Sequence, residues 1–174
     1  MEACDLLIVR HAKSDWSGDI AKDFDRPLAK RGKKTLSVIA EWLDSQHIKP
    51  DLLVSSPALR AKQTAQAIIE KLHIPDQTIT FDDRLYLADT DILLEVLEEA
   101  AHSQPQPKSV MLVGHNPGLE NLLTLLCGDP LPYTRDGKLL TTGNVVQLRF
   151  EHAWSNLRPK QGRLINFFRA KELD

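Results

Sequence analysis

The sequence has little of what marks several large protein classes. Among its 174 residues there are two cysteines, Cys4 and Cys127, which are too few for a disulfide framework and lack metal-ligand spacing. No apolar run approaches the roughly 20 residues that span a bilayer. The N-terminus also lacks the basic and apolar regions of a signal peptide. These absences predict a reduced, cytoplasmic protein with no membrane segment.

An excess of charge of one sign is also missing. The 22 basic residues nearly balance the 24 acidic ones, so the formal net charge is −2. This balance gives no support for a nucleic-acid or membrane partner, and any anion site must therefore be built locally. The chain is 42% apolar and 26% charged. Together with its length, this composition predicts a single globular domain over residues 1–174.

Short apolar runs alternate with helical patterns along the chain. Residues 5–9, 51–55 and 109–113 are almost continuously apolar, which is typical of strands buried on both faces. Apolar residues at helical spacing follow each run, whereas NVVQLRF and RLINFFR near the end predict an antiparallel pair. Residues 128–144 are predicted to be a long loop. The order of elements predicts an α/β fold, a three-layer α/β/α sandwich around a mostly parallel sheet.

The first apolar run carries the pattern CDLLIVR, which also fits a cysteine-dependent phosphatase. Such an enzyme needs a curled loop of backbone N–H groups between the cysteine and the arginine. An extended strand advances about 3.3 Å per residue, so Cys4 and Arg10 would stand roughly 20 Å apart. The two residues could not hold the same phosphate. Cys4 is therefore interpreted as a small apolar residue at the start of a strand.

Basic side chains follow each of the three buried runs. Arg10 and His11 follow the first, Arg60 lies in the first turn of the helix after the second, and His115 follows the third. Open parallel sheets bind ligands beyond the carboxyl ends of their strands. Taken alone, each residue is more often a surface charge or a hydrogen-bonded structural group. Together they predict one site at that edge of the sheet.

Phosphoryl transfer is the chemistry that fits two arginines and two histidines. Guanidinium groups of Arg10 and Arg60 can hold a phosphate dianion through paired hydrogen bonds. A neutral imidazole, whose ordinary pKa is about 6.5, has a lone pair that can attack phosphorus. We expect His11 to be this nucleophile and His115 to donate a hydrogen bond to the transferring oxygens. This chemistry needs no metal ion and no other cofactor.

Competing phosphate-binding and nucleophile motifs are absent from the sequence. There is no GxxxxGK[ST] loop, no GxGxxG fingerprint and no GxSxG elbow. A hydroxyl nucleophile in the SSP segment is the remaining alternative. We interpret Ser56 in that segment as a helix cap ahead of Pro57.

Four segments in this order resemble the histidine phosphatase superfamily: LLIVRHAKSDW, DFDRPLAKRG, SSPALRAKQTA and VGHNPG. Within it, the chain is similar to the small SixA-type phosphohistidine phosphatases. The resemblance implies a phosphoglycerate mutase-like fold and a phosphorylated His11, with Arg10, Arg60 and His115 around the phosphate.

The same segments contain further candidate residues. The candidates for substrate contact are Arg26, Ser14 and Asn116, each of which is equally well explained as a loop or capping residue. Trp16 lies beside the proposed nucleophile, and we expect it to anchor its loop rather than to line a pocket. The superfamily's usual RHG is RHA here, with Ala12 after the nucleophile.

The DDRLYLADTD segment departs from the family pattern. Relatives that act on sugar or alcohol phosphates commonly carry a catalytic Glu shortly after the RL pair, where this chain has Tyr86 and Leu87. Without that acid, a phosphoramidate should be a better substrate than an alkyl phosphate, because imidazole is the less basic leaving group. The expected partner is therefore a phosphorylated protein, such as a histidine-containing phosphotransfer domain.

The sequence leaves two alternative functions open. One is a phosphatase of small phosphomonoesters or nucleotides that uses the same nucleophile. The other is a phosphate-binding module without catalysis, because arginine side chains bind anions without turnover.

Overall fold

The apolar runs form the centre of a six-stranded sheet in a computed structural model of the chain. The structure describes residues 2–19, 22–152, 154 and 157–170. The strands are β1 (Cys4–Arg10), β2 (Leu52–Ser55), β3 (Ile79–Phe81), β4 (Ser109–Gly114), β5 (Asn144–Phe150) and β6 (Arg163–Arg169). They lie in the order β3-β2-β4-β1-β5-β6. The first four pair in parallel, while β5 is antiparallel to both β1 and β6. The mostly parallel sheet and the antiparallel pair are thus confirmed.

Helices cover both faces of the sheet. They are α1 (Lys30–Ser45), α2 (Leu59–Lys71), α3 (Thr90–Ala101) and α4 (Gly118–Leu126). One apolar core includes α1 and α2, and a second includes α3 and α4. Along β1, Leu7 and Val9 enter the first core, whereas Leu6 and Ile8 enter the second. The predicted three-layer sandwich is confirmed, and burial on both faces explains why β1 is continuously apolar.

The two ends of β1 carry side chains of different chemistry. Cys4 is buried at its start, where burial raises the pKa of the thiol to about 12, and Arg10 stands at its finish. A protonated thiol at the far end of a strand is no nucleophile for a phosphate at Arg10. The structure thus agrees with the interpretation of Cys4 as an apolar strand residue.

The long loop ahead of β5 contains no helix or strand from Gly128 to Gly143, and Asn144 already belongs to β5. Shorter connections include 3₁₀ turns at Asp23–Asp25, Asp76–Thr78 and Asp83–Leu85. Within the described residues, no helix combines the length and the apolar character needed to cross a membrane. The cytoplasmic location stays a prediction.

The register of the parallel strands aligns the residues that follow them. Arg10 pairs with Gly114 across β1 and β4, and Ser55 pairs with Val113 across β2 and β4. The ladder continues one residue further, since His11 N donates to Gly114 O at 3.2 Å and Ser56 N donates to Val113 O at 3.0 Å. Three strand ends are therefore held side by side at one edge of the sheet.

The loop after β1 rests directly on the first turn of α1. Ala29 N donates to Lys13 O at 2.8 Å, and a Cβ added to Gly32 would collide with the same backbone carbonyl. Glycine is therefore required at position 32 by close approach, because any side chain there would push the loop away.

Gly32→Ala should destabilise the protein although it lies in a helix. An alanine inside a helix normally gains about 0.5–1 kcal/mol over glycine. Here we expect a loss of about 1–3 kcal/mol, because the Lys13 carbonyl cannot yield without breaking its hydrogen bond. Urea unfolding of the variant, beside exposed Lys33→Ala as the matched control, measures the change. A Gly32→Ala protein as stable as the wild type would contradict the close packing.

Candidate active site

The carboxyl ends of β1, β2 and β4 border a cavity of about 230 Å³. Every site residue predicted from the sequence lines it: Arg10, His11, Ser14, Arg26, Arg60, His115 and Asn116. Lys13, Trp16, Leu87 and Thr142 complete the lining. The lining therefore contains four basic side chains, three arginines and one lysine, and no carboxylate, although the net charge of the chain is negative. The positive charge that an anion site needs is therefore concentrated locally, as expected for a chain whose overall charge is nearly balanced.

His11 is buried and has a defined tautomer. Its Nδ1 lies 2.7 Å from Ala12 O, and because a carbonyl only accepts, Nδ1 must carry the proton. The lone pair is then on Nε2, which accepts a hydrogen bond from Arg60 Nε at 3.3 Å. Burial, followed by the positive charges of Arg60 and Arg10, lowers the pKa of His11 to about 4. The imidazole is neutral at physiological pH.

The two arginines predicted to hold phosphate are fixed by oxygen atoms of the protein. Arg10 Nη1 donates to Leu140 O at 2.8 Å. Arg60 Nη1 donates to Asp23 O at 2.8 Å, and its Nη2 donates to the Asp23 carboxylate at 2.9 Å. Such contacts hold both guanidinium groups in place before any ligand arrives.

His115 stands beside His11, with the ring centroids 5.3 Å apart. Its Nε2 lies 2.8 Å from Ser56 Oγ, which also accepts from Ala58 N at 3.2 Å. Burial, together with the nearby His11 and Arg60, lowers the pKa of His115 to about 3. The neutral ring has one proton, and a hydroxyl can donate or accept, so this contact fits a proton on Nδ1 when Ser56 donates and a proton on Nε2 when Ser56 accepts.

Ser56 therefore has a different role from the one read in the sequence. The N-cap position of α2 is Ala58, and no side chain caps the helix. The interpretation of Ser56 as the helix cap is wrong, because Ser56 lies two residues before the N-cap position and its hydroxyl contacts His115 and Ala58 N, not an N–H group of the first turn of the helix.

Buried polar atoms without a partner cluster at this cavity. Within the described chain they include the guanidinium donors Arg10 Nε and Arg26 Nε and the ring nitrogen His115 Nδ1, together with Asn116 Oδ1 and Thr142 Oγ1. Leaving a buried polar atom unsatisfied costs about 1–3 kcal/mol. Native proteins retain few such atoms, and a cluster of them beside a cavity is consistent with a site that a ligand completes. The two unpartnered guanidinium N–H donors, beside the other cationic side chains of the lining, suit an anion with several oxygens.

The three predicted substrate contacts are brought to the cavity but also contact the protein. Ser14 Oγ accepts a hydrogen bond from Arg26 Nη1. Asn116 Nδ2 donates to Leu140 O at 3.1 Å. A structural role is therefore visible for Ser14 and Asn116, and contact with substrate stays a prediction for all three.

Asp23 is the residue that the sequence reasoning missed. Its carboxylate binds Arg26 at 2.7 Å and Arg60 at 2.9 Å, and it accepts the Tyr86 hydroxyl at 2.6 Å. The hydrogen bonds from Tyr86 and Arg26, and then Arg60, hold the pKa of Asp23 well below its usual range. An acid three residues before Arg26 was the available signal, because that spacing places both side chains on one turn.

The long loop contributes to the site through its backbone. Leu140 O accepts from both Arg10 and Asn116. Gly143 N donates to Arg10 O at 3.1 Å and to His11 O at 3.0 Å. Gly143 has a φ of +76°, which glycine adopts without strain. These contacts of main-chain atoms leave no motif in the sequence.

Trp16 does not anchor its loop, and that expectation is wrong. Its side chain is 73% exposed and lines the cavity. The Arg26 guanidinium lies over the indole, 3.5 Å from the ring centroid. The ring is therefore held at the cavity mouth rather than packed into the core.

A larger cavity lies away from the predicted site residues. A cavity of about 770 Å³ lies at the proline-rich connector, lined by residues that include Asp51, Gln77 and Lys108. It contains none of the predicted site residues. Among the described residues, no group of three or more His, Cys, Asp or Glu side chains could hold a metal ion.

Comparison with known proteins agrees with this geometry. The family model of the histidine phosphatase superfamily (branch 1) matches residues 6–86. The phosphohistidine phosphatase SixA of Escherichia coli is 28% identical over 127 residues, which cover 73% of this chain and 76% of that protein. An uncharacterised protein of Picosynechococcus is 32% identical over 117 residues, which cover 66% of this chain and 68% of the relative.

A solved structure shares the whole architecture. The crystal structure of the putative phosphohistidine phosphatase SixA from Agrobacterium tumefaciens superposes with a TM-score of 0.76 at 29% identity, covering 95% of this chain and 98% of that one. The phosphoglycerate mutase-like fold expected from the sequence is thereby confirmed. From its sequence segments, its fold and these relatives, the chain belongs to the histidine phosphatase superfamily and is a phosphatase.

Proposed function

We propose that the protein hydrolyses phosphohistidine on a partner protein by way of a phosphorylated His11. The observation that supports this most is the neutral, tautomerically fixed His11, which lines a cavity with three arginines and no carboxylate and whose Nε2 accepts a hydrogen bond from one of them, Arg60. A partner with an accessible phosphohistidine, such as a histidine-containing phosphotransfer domain, fits this chemistry. The activity in the name of the Escherichia coli relative supports the same substrate class.

The first step transfers the phosphoryl group. Arg10, Arg60 and the Nδ1–H of His115 hold the non-bridging oxygens, and they balance the negative charge as it redistributes. His11 Nε2 attacks phosphorus, so a new P–N bond forms while the P–N bond of the substrate breaks. The bonding electrons leave with the imidazole of the substrate. In the second step water attacks the phosphorylated His11, which releases inorganic phosphate and returns the imidazole.

The leaving group decides which substrate suits this site. A phosphohistidine that is protonated on its second ring nitrogen leaves as neutral imidazole, the conjugate base of an acid with a pKa of about 6.5. An alkoxide is a far stronger base and needs a proton donor. Asp23 is the carboxyl group that contacts Arg26 and Arg60, and its hydrogen bonds with Tyr86, Arg26 and Arg60 hold its pKa low and keep it ionised. The site is therefore better suited to a P–N bond than to an alkyl ester.

A phosphorylated His11 should be trappable. We expect a phosphodonor such as phosphoramidate to label the wild-type chain with phosphate that is labile in acid and stable in base. The label should be absent from His11→Ala and present in His102→Ala, whose histidine is exposed on α3's C-terminal side. Hydrolysis by His11→Ala at the wild-type rate would contradict the proposed nucleophile. A wild-type protein that binds phosphate without turnover would instead indicate a binding module.

The neutral state of His11 predicts a pH effect on stability. Its pKa is about 4 in the folded chain against about 6.5 when unfolded. Between these values the unfolded chain binds the extra proton, so the free energy of unfolding should fall as the pH falls from about 6.5 to 4. This single group contributes a slope of at most about 1.4 kcal/mol per pH unit. His11→Gln should show a shallower slope in urea unfolding than the wild type, and equal slopes would contradict a neutral buried His11.

The substrate preference follows from the missing proton donor. We expect kcat/KM for a phosphohistidine peptide to exceed that for a phosphoserine peptide of the same sequence by at least about a hundred-fold, the lower range of general acid catalysis. Steady-state release of phosphate from the two peptides measures the ratio. A small phosphomonoester or nucleotide that is turned over faster than the phosphohistidine peptide would favour the alternative phosphatase.

A further inference from the structure

Two large exposed apolar side chains lie at the cavity mouth. In the described part of the chain the large exposed apolar residues are Trp16, Phe81, Leu87 and Tyr133, and of these Trp16 and Leu87 line the cavity. Trp16 and Leu87 come from different loops, one after β1 and one before α3, yet both line the cavity that contains His11. Every other lining residue is polar or charged. Single exposed apolar residues are ordinary, whereas two at the mouth of a polar cavity indicate a contact with a ligand.

The indole of Trp16 is oriented by a buried cation. The Arg26 guanidinium lies 3.5 Å from the ring centroid, and Arg26 itself is only 7% exposed. Its two terminal nitrogens are fixed in turn, one by Asp23 at 2.7 Å and the other by Ser14. Arginine stacks well on aromatic faces. One face of the indole is therefore supported, while its 73% exposure leaves the other face open.

Leu87 is held out of the core by its backbone. Its φ is +54°, in the left-handed region that non-glycine residues rarely adopt, and the side chain is 59% exposed. Both flanks are fixed: Tyr86 donates its hydroxyl to Asp23, and Asp89 caps α3 by accepting from Ile92 N at 3.0 Å. Backbone strain of this kind concentrates at functional sites. It holds an apolar side chain at the mouth of a charged cavity.

We propose that Trp16 and Leu87 form the subsite for the leaving group, and that they take the flat imidazole ring of a phosphorylated histidine side chain. This inference rests on the proposed function and adds the residues that select the substrate. Trp16 supplies the stacking face, and Leu87 supplies a second apolar contact. Neither side chain touches the transferred phosphoryl group in this assignment, so both are specificity residues and not members of the catalytic set.

The size and chemistry of the cavity favour such a ring over a sugar. A volume of about 230 Å³ lies below the roughly 300–1,000 Å³ of sites that enclose whole small molecules. The cavity then holds the phosphoryl group, and the leaving group remains at the mouth. Sugar hydroxyls placed against an indole and a leucine would lose their hydrogen bonds to water without replacement. An imidazole instead gains an aromatic contact there.

The test compares two P–N substrates that differ in the ring. A phosphohistidine peptide has an imidazole leaving group, whereas phosphoramidate releases ammonia and has nothing to stack. We expect Trp16→Ala to lower the ratio of kcat/KM for phosphohistidine to kcat/KM for phosphoramidate about ten-fold, the size of one good aromatic contact. Leu87→Ala should lower it roughly three-fold. Trp16→Phe should restore most of the ratio.

Tyr133→Ala is the matched control, because Tyr133 is an exposed aromatic residue, 56% accessible, outside the cavity lining. Its ratio should equal that of the wild type. An equal loss on both substrates would overturn the inference, since Trp16 would then act only through the position of Arg26. An unchanged ratio in Trp16→Ala would overturn it as well. If the wild type failed to hydrolyse phosphohistidine at all, the proposed function itself would fall first, and that result is seen before any variant is made.

Discussion

The registered parallel pairing of β1 with β4, and of β4 with β2, is the constraint on which the site depends. Because these strands run in the same direction, their carboxyl ends stop at one edge of the sheet. The hydrogen bonds from His11 N to Gly114 O and from Ser56 N to Val113 O extend that register into the loops. A slip of one residue would move each following side chain to the opposite face. The geometry of His11 relative to His115 is therefore a property of the sheet.

Buried arginines destabilise a protein unless oxygen atoms accept their hydrogen bonds. Arg60 is 3% exposed and Arg26 is 7% exposed, and unpaired buried charges are strongly unfavourable. The protein offsets this with one carboxylate, Asp23, which is shared by both arginines, and with carbonyl oxygens such as Leu140 O on Arg10. Both histidines stay neutral, which adds no further positive charge. The remaining unpaired donors leave room for a phosphate oxyanion to complete the shell.

The sequence predicts the site residues whose positions are set by strand ends and local motifs. Arg10 and His11 end a buried run and His115 follows another, so their convergence was predictable from the parallel sheet alone. Tyr86 and Leu140 could not be found in this way, and the spacing of Asp23 to Arg26 indicated that one contact of Asp23 but not its contacts with Arg60 and Tyr86. These three residues reach the site through contacts 37, 63 and 130 residues apart along the chain. Such contacts depend on the paths of loops, which carry no periodic signal, and those of Leu140 use a backbone oxygen that any residue supplies.

The two transfer steps of the proposed mechanism explain why the site has no carboxylic acid as a proton donor. In the second step of the proposed mechanism, the leaving group is the imidazole of His11 itself, so the site already breaks a P–N bond without a carboxylic acid. When the substrate is also a phosphohistidine, the first step exchanges one P–N(imidazole) bond for another, and the two steps make the same demand on the site. An alkyl ester would need a proton in the first step alone. Asp23, engaged by Tyr86, Arg26 and Arg60, is used to position arginines, and this use is incompatible with the higher pKa that a proton donor requires.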